Sequence, residues 1–204
     1  MITIIDYGVG NINAFQNVFK RLNIPSEIAK SISDLDQVDK IILPGVGHFD
    51  YAMGQLNKSG MRERLDELVI NEKKNVIGIC VGMQIMGKRS DEGELEGLGW
   101  IDGEIKRFDE AKITHHTKLP HMGWNDVSFE INHPLFIGLE KEAIFYFLHS
   151  YYFQCKNQKN SIATTEYGVR FTSSINVNNI YGIQFHPEKS HSYGEKLLSN
   201  FAKL

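Results

Sequence analysis

Apolar positions recur along this chain on two different periods, and the texture changes near Trp100. In the first half, Ile2–Ile5 is a continuous strand-like run. It leads into a stretch from Asn11 to Leu22 that sets Ile12, Phe15, Val18, Phe19 and Leu22 on one helical face. Ile41–Leu43 and Val76–Ile79 repeat the apolar run, and between them Met61, Leu65, Leu68 and Val69 fall at helical spacing before Lys73 and Lys74. Strands that are apolar at successive positions and separated by helices predict a parallel sheet covered on both faces.

Beyond Trp100 the pieces are strand-like: Ile101–Phe108, Asp126–Ile131, Ile144–Phe147, Tyr151–Gln154, Ser161–Thr165 and Ile180–Phe185, with a turn at Asn178 and Asn179. This half is expected to add antiparallel strands, and Tyr193–Leu204 to close the chain as a helix. Asp91–Gly99, rich in Gly and Glu, reads as an exposed loop, and no repeat, linker or low-complexity segment interrupts the pattern. The expectation is therefore one α/β domain over 1–204, with a central, largely parallel sheet, flanking helices and extra antiparallel strands.

Composition narrows the function classes. With 204 residues and 42% hydrophobic content, the chain can build one sizeable core. Its formal charge of -3 is spread along the sequence with no basic block, which argues against nucleic acid as a partner. No apolar run approaches the roughly 20 residues that cross a bilayer, and Met1 leads directly into a strand. The reading is a soluble, cytoplasmic protein with no membrane partner. Its two cysteines, Cys80 and Cys155, are expected to be reduced thiols.

Candidate chemistry gathers at three strand ends. The sharpest signal is Asn75–Gln84, an apolar strand running into Gly78-Ile79-Cys80-Val81-Gly82 and then a helical segment, the sulfur counterpart of a nucleophile elbow. Glycines on both sides permit a sharp turn that presents the thiol, and a helix start behind it would favour the thiolate. A buried, inert Cys80 is the plain alternative for the elbow taken alone. Tyr181–Glu188 also ends an apolar strand in polar residues: His186 can serve as base, and Glu188, two residues on past a rigid proline, as the carboxylate that orients it. A turn histidine is the commoner reading of that motif by itself. Acyl transfer further needs oxyanion donors, for which the Gly45, Val46 and Gly47 backbone after Leu43-Pro44 and the Val81 N–H are candidates.

Other features carry less. Gly8-Val9-Gly10 lacks the third glycine of a dinucleotide fingerprint, since position 13 is Asn, and reads as a tight turn. His115 and His116 are adjacent and have no ligand set around them, so a solvated loop is expected and no metal site. Cys155 has neither an elbow nor a neighbouring histidine motif, and no cofactor is implied anywhere.

Taken together, Ile5-Asp6-Tyr7-Gly8 with Gly10-Asn11, Leu43–Gly47, Gly78–Gln84, Glu96–Gly99, Pro120–Asn125, His149–Tyr152 and Gln184–Ser190 resemble the class I (triad) glutamine amidotransferases. Within them the likeness is to the HisH-type glutaminase subunits of imidazole glycerol phosphate synthase, over nearly the whole chain. The resemblance implies Cys80 as nucleophile, His186 as base, Glu188 as its carboxylate and Pro44–Gly47 as the oxyanion strand. It also implies a pocket for L-glutamine lined by Gly82, Gln84, His149, Ser150 and Tyr151. A (β/α)8-barrel synthase partner is implied to form a heterodimer, to dock near Asn11, Met122, Trp124, Asn125 and Lys189, and to receive the ammonia. Relatives of such subunits also serve nucleotide-sugar amination for surface polysaccharides, and Val81 and Met86 do not separate the two. Two rivals stand outside that reading: a partner-free cysteine hydrolase, against which Gln84 and Pro120–Asn125 argue, and a non-catalytic binding module, against which the complete triad argues.

Overall fold

The computed structural model describes residues 1–129, 132–139 and 143–204. Its strands are β1 (Ile2–Ile5), β2 (Ser26–Ala29), β3 (Lys40–Gly45), β4 (Asn75–Cys80), β5 (Gly103–Arg107), β6 (His121–Asp126), β7 (Ser128–Phe129), β8 (Ile144–His149), β9 (Tyr151–Cys155), β10 (Ser161–Tyr167), β11 (Val169–Val177) and β12 (Ile180–Ile183). The helices are α1 (Ile12–Arg21), α2 (Phe49–Ser59), α3 (Arg62–Asp66), α4 (Val81–Gln84) and α5 (His191–Lys203).

The continuous apolar runs do become the inner strands. β2, β1, β3, β4 and β12 lie side by side in parallel, and β11, β10 and β7 extend the same sheet in antiparallel fashion, with β9 and β5 branching from β11. Every residue of β1 and β12 is buried, as strands covered on both faces require. Helix α1 packs against α5 and α2 against α3 and α4. The core joins Phe15, Phe19, Leu56, Leu65, Ile77, Leu197 and Phe201 around the sheet.

Several elements depart from the sequence-based expectations. β12 lies in the second half yet pairs in parallel with β4, Ile183 opposite Ile79, so it belongs to the parallel half of the sheet. The helix expected around Met61 to Lys73 begins as α3 and continues as a π-type turn over Glu67–Asn71. Asp126–Ile131 is not one strand: β6 ends at Asp126, β7 takes Ser128 and Phe129, and residues 130 and 131 lie outside the described residues. Helix α2, capped by the His48 side chain and ended at left-handed Gly60, has its buried Phe49, Ala52, Met53 and Leu56 at readable helical spacing. Asp91–Gly99 is the expected loop, exposed at Asp91, Glu94, Leu95, Glu96 and Gly99, and it is tied to the body of the fold. Asp50 of α2 accepts hydrogen bonds from the Glu94 and Leu95 N–H groups, and Leu98 N–H donates to the Ile85 carbonyl at 2.7 Å. Among the described residues, no helix is long and apolar enough to cross a membrane.

Candidate active site

The parallel register brings the three strand ends together. Gly45 lies opposite Cys80 in the β3–β4 ladder, and Ile183 opposite Ile79 on the other side, so Gln184 follows beside Cys80 and His186 stands just beyond. This is the carboxyl edge of the parallel strands, where open α/β sheets hold their ligands.

Cys80 turns the chain with φ 55 and ψ -114, a positive φ that a side chain rarely adopts. The turn closes only because its neighbours lack side chains. A Cβ on Gly78 would run into the backbone of Gly82, and one on Gly82 into the Leu43 carbonyl. Gly82 therefore backs the elbow against β3 and does not line the cavity, contrary to the expected role in substrate contact. Helix α4 is a single turn, Val81–Gln84, so it supplies less of a dipole than a longer helix would. Support for a thiolate has to come from side chains.

Those side chains are present. His186 Nδ1 is 2.9 Å from Glu188 Oε1, and the two side chains are 3% and 2% exposed. Burial opposes a charged ring, but the interactions with Cys80 and then with the Glu188 carboxylate outweigh it and push the His186 pKa up to about 10. The His186-Pro187-Glu188 turn is clamped to β8, with His186 N–H donating to the Tyr146 carbonyl at 2.8 Å. The Ser190 hydroxyl donates to the His186 carbonyl at 2.6 Å and accepts from Tyr146 N–H at 3.0 Å.

A cavity of about 290 Å³ opens over Cys80, lined by Val46, Gly47, Val81, Gln84, Glu92, Pro120, Leu148, His149, Ser150, Tyr151, His186 and Lys189. The sequence-predicted residues thus converge, with Gly45 just behind as the partner of Cys80. The Val81 N–H opens a helix, where no earlier carbonyl of that helix can reach it. The Tyr7 hydroxyl, absent from the sequence-based site, donates to the Pro44 carbonyl at 2.6 Å and so fixes the peptide before Gly45. Glu92 was also missed. Its loop reads as solvated, yet Glu92 Oε2 accepts from Phe49 N–H at 2.8 Å and places a carboxylate at the cavity wall.

The remaining predicted residues divide. Met122 and Trp124 are exposed on β6, outside the cavity, and Asn11 is exposed at the start of α1. Lys189 lines the cavity and sits 5.5 Å over the Tyr146 ring. Asn125 is not a free surface group: its amide bonds His121 Nε2 at 3.1 Å and the Glu166 carbonyl at 3.0 Å. From there His121 Nδ1 meets His149 Nε2 at 2.9 Å, and His149 Nδ1 meets the Tyr151 carbonyl at 2.7 Å. Burial holds both histidines neutral, pulling His121 down to about 4 and His149 to about 3. Among the described residues, no cluster of His, Cys, Asp or Glu has the make-up of a metal site. His115 and His116 are exposed, with the His115 ring stacked on Tyr167.

The model of the class-I glutamine amidotransferase family matches residues 3–204. The chain belongs to that family. This amidotransferase is 52% identical over 204 residues to the imidazole glycerol phosphate synthase subunit HisH of Bdellovibrio bacteriovorus, with 100% of each chain covered. It is 49% identical over the same length to the subunit of that name from Leptospira borgpetersenii, again with 100% of each covered. A crystal structure of a glutamine amidotransferase matches the amidotransferase fold with a TM-score of 0.76 at 17% identity, covering 100% of this chain and 99% of the other.

Proposed function

We propose that this amidotransferase is the glutaminase subunit of an imidazole glycerol phosphate synthase, hydrolysing L-glutamine through Cys80, His186 and Glu188. The observation that carries the mechanism is the buried His186–Glu188 pair beside a thiol on a positive-φ elbow, all facing one cavity. The full-length identity to subunits of that name carries the choice of synthase.

The thiolate attacks the γ-carboxamide carbon, forming a C–S bond while the carbonyl electron pair moves to oxygen. Backbone N–H groups of Val81 and of the Gly45–Gly47 segment receive that oxyanion. As the tetrahedral adduct collapses, the C–N bond breaks and His186 gives its proton to the departing nitrogen. Neutral His186 then takes a proton from water as the water attacks the thioester. Glutamate leaves, and the sulfur regains its electron pair. Glu92 suits the α-ammonium of glutamine, since it brings a carboxylate to the cavity lining. Gln84, Ser150 and Tyr151 supply polar groups around the rest of the amino acid.

The route for ammonia follows from the outer face of β6 and β8. Met122 pairs with Leu148 and Trp124 with Tyr146 across that two-stranded sheet. Met122, Trp124, Ile144 and Leu148 are 62%, 44%, 37% and 38% exposed, an apolar face of the kind that partners cover. Leu148 also lines the cavity, and its carbonyl lies 3.9 Å from Cys80 Sγ. A synthase of the (β/α)8-barrel type covering this face would receive ammonia at the mouth of the site, away from bulk water. Cys80→Ala should abolish ammonia release from glutamine, because no thioester can form. Hydrolysis by that variant at the parent rate would end the reading.

A further inference from the structure

The buried hydrogen bonds behind the cavity have a direction that one backbone atom sets. A carbonyl oxygen can only accept. Gln84 Nε2 must therefore be the atom that faces the Tyr151 carbonyl, at 3.1 Å. Its second hydrogen points to Gln184, and the atom it meets at 3.0 Å must be Oε1. That leaves Gln184 Nε2 turned toward Cys80 Sγ, 3.6 Å away. Reversing either amide would set two donors or two acceptors against each other.

We propose that Gln184 is a further catalytic residue of the glutaminase, donating a neutral hydrogen bond to the Cys80 sulfur, with Gln84 as the positioning residue that keeps its amide turned that way. The inference rests on the Cys80–His186–Glu188 reading and deepens it. Gln184 is 0% exposed, and a buried amide is costly unless its groups are paired. A neutral thiol is a poor acceptor for such a donor, whereas a thiolate is a strong one. The short α4 gives the sulfur less dipolar help than a long helix would, so side-chain donors matter here. An amide also does what the imidazolium cannot do throughout the cycle. Once His186 has handed its proton to the departing nitrogen, the ring is neutral. When water then breaks the thioester, the C–S electron pair returns to a sulfur that still faces the Gln184 N–H. Gln84, with both amide hydrogens engaged, has only its carbonyl oxygen left to meet a ligand.

The test is the pH dependence of Cys80 alkylation by iodoacetamide on the intact chain between about pH 5 and about pH 9, read by mass on the Cys80 peptide so that Cys155 does not contribute. Parent, Gln184→Leu, Gln84→Leu and His186→Asn are compared, with thermal unfolding run beside each. Gln184→Leu is expected to raise the alkylation midpoint by about one pH unit, a tenfold loss of thiolate below it. Its kcat for glutamine should fall about tenfold while KM moves less than about twofold. Gln84→Leu should shift the midpoint the same way by less, since the Gln184 amide can then turn its oxygen toward the sulfur. An unshifted midpoint in folded Gln184→Leu, beside a shifted one in His186→Asn, overturns the role of the amide alone. Where Gln184→Leu shows no unfolding transition, an unshifted Gln84→Leu decides against it in the same way. If His186→Asn also alkylates like the parent, the triad reading falls, and the amide's role with it.

Discussion

Cys80 holds a conformation that costs free energy wherever a side chain occupies it, at φ 55, and the glycines on either side allow the surrounding backbone to close over it. His186 is tuned in the opposite sense to most buried histidines, because its interactions with Cys80 and Glu188 outweigh its desolvation. In the proposed reaction the protonated ring is the acid that releases ammonia, so activity should hold as pH rises and fall on an alkaline limb near the His186 value of about 10. Glu188 is one of the groups that keep the proton on the ring. Glu188→Gln is therefore expected to move that limb to lower pH and to slow hydrolysis by about tenfold or more through lost orientation. Initial rates of ammonia release across the alkaline range check both effects, and a limb that stays in place removes the carboxylate from the role. The pair Cys80 and His186 could be read from the sequence because each ends an apolar strand. Gln184 and Glu92 could not be, since one looks like a strand residue and the other sits in a Gly- and Glu-rich stretch.

Among the elements, β6 and β8 combine two incompatible faces in one short hairpin-like sheet. Residues of β6 alternate inward and outward, so Met122 and Trp124 face solvent while His121 and Asn125 join the buried chain that ends at the Tyr151 carbonyl. Depressed histidines carry a pH cost of known sign. Below about 6.5 the unfolded chain takes up protons that native His121 and His149 refuse, until pH reaches their folded values of about 4 and about 3. Stability should therefore fall as pH drops through that window, by up to about 1.4 kcal/mol per pH unit for each histidine. Thermal unfolding at pH 7 and at about pH 4.5 reads the loss, and His121→Gln should flatten it by removing one of the two groups. An identical slope in that variant would show that other groups carry the acid sensitivity.

On the scale of the molecule, the site exists because β12 enters the sheet in parallel beside β4 instead of extending the antiparallel half. The exposed face of β6 and β8 adjoins the cavity at Leu148 and Pro120, so a partner bound there sits at the mouth of the site. Trp124, stacked on His191 at 5.2 Å, is a large aromatic anchor in that face. Trp124→Ala should weaken synthase binding by about 2 kcal/mol or more, roughly thirtyfold in Kd. Glutamine-driven synthesis should fall with it while synthesis fed with ammonium salt continues. Loss of the ammonium-driven reaction as well would place the effect elsewhere than docking. We propose in addition that docking of the synthase is coupled to the rate of glutamine hydrolysis, through the backbone of Gly45, Val46 and Gly47. Tyr7 pins the peptide before them, whereas Gly47, at φ 85 with open space around it, leaves the following peptide free to turn an N–H toward the oxyanion. One such donor is worth about a hundredfold in rate. The isolated chain should hydrolyse glutamine slowly and accelerate by about that factor with the ligand-loaded synthase, measured as ammonia release. Equal rates alone and in complex would remove the coupling.

What the sequence determined by itself was local. Continuous apolar runs specify buried strands, Gly78-x-Cys80-x-Gly82 specifies a turn that displays a thiol, and a rigid proline keeps Glu188 within reach of His186, because each depends on residues a few positions apart. Partners more than a hundred positions apart were decided by the sheet. Neither the periodicity of Ile180–Phe185 nor its composition encodes whether that strand runs parallel to β4, and that direction alone sets His186 and Gln184 beside Cys80. The same holds for Glu92, which is held at the cavity wall by the Phe49 N–H that the start of α2 leaves without a partner inside the helix. These are contacts made by packing and hydrogen-bond satisfaction across the fold, and they have no periodic trace in the chain.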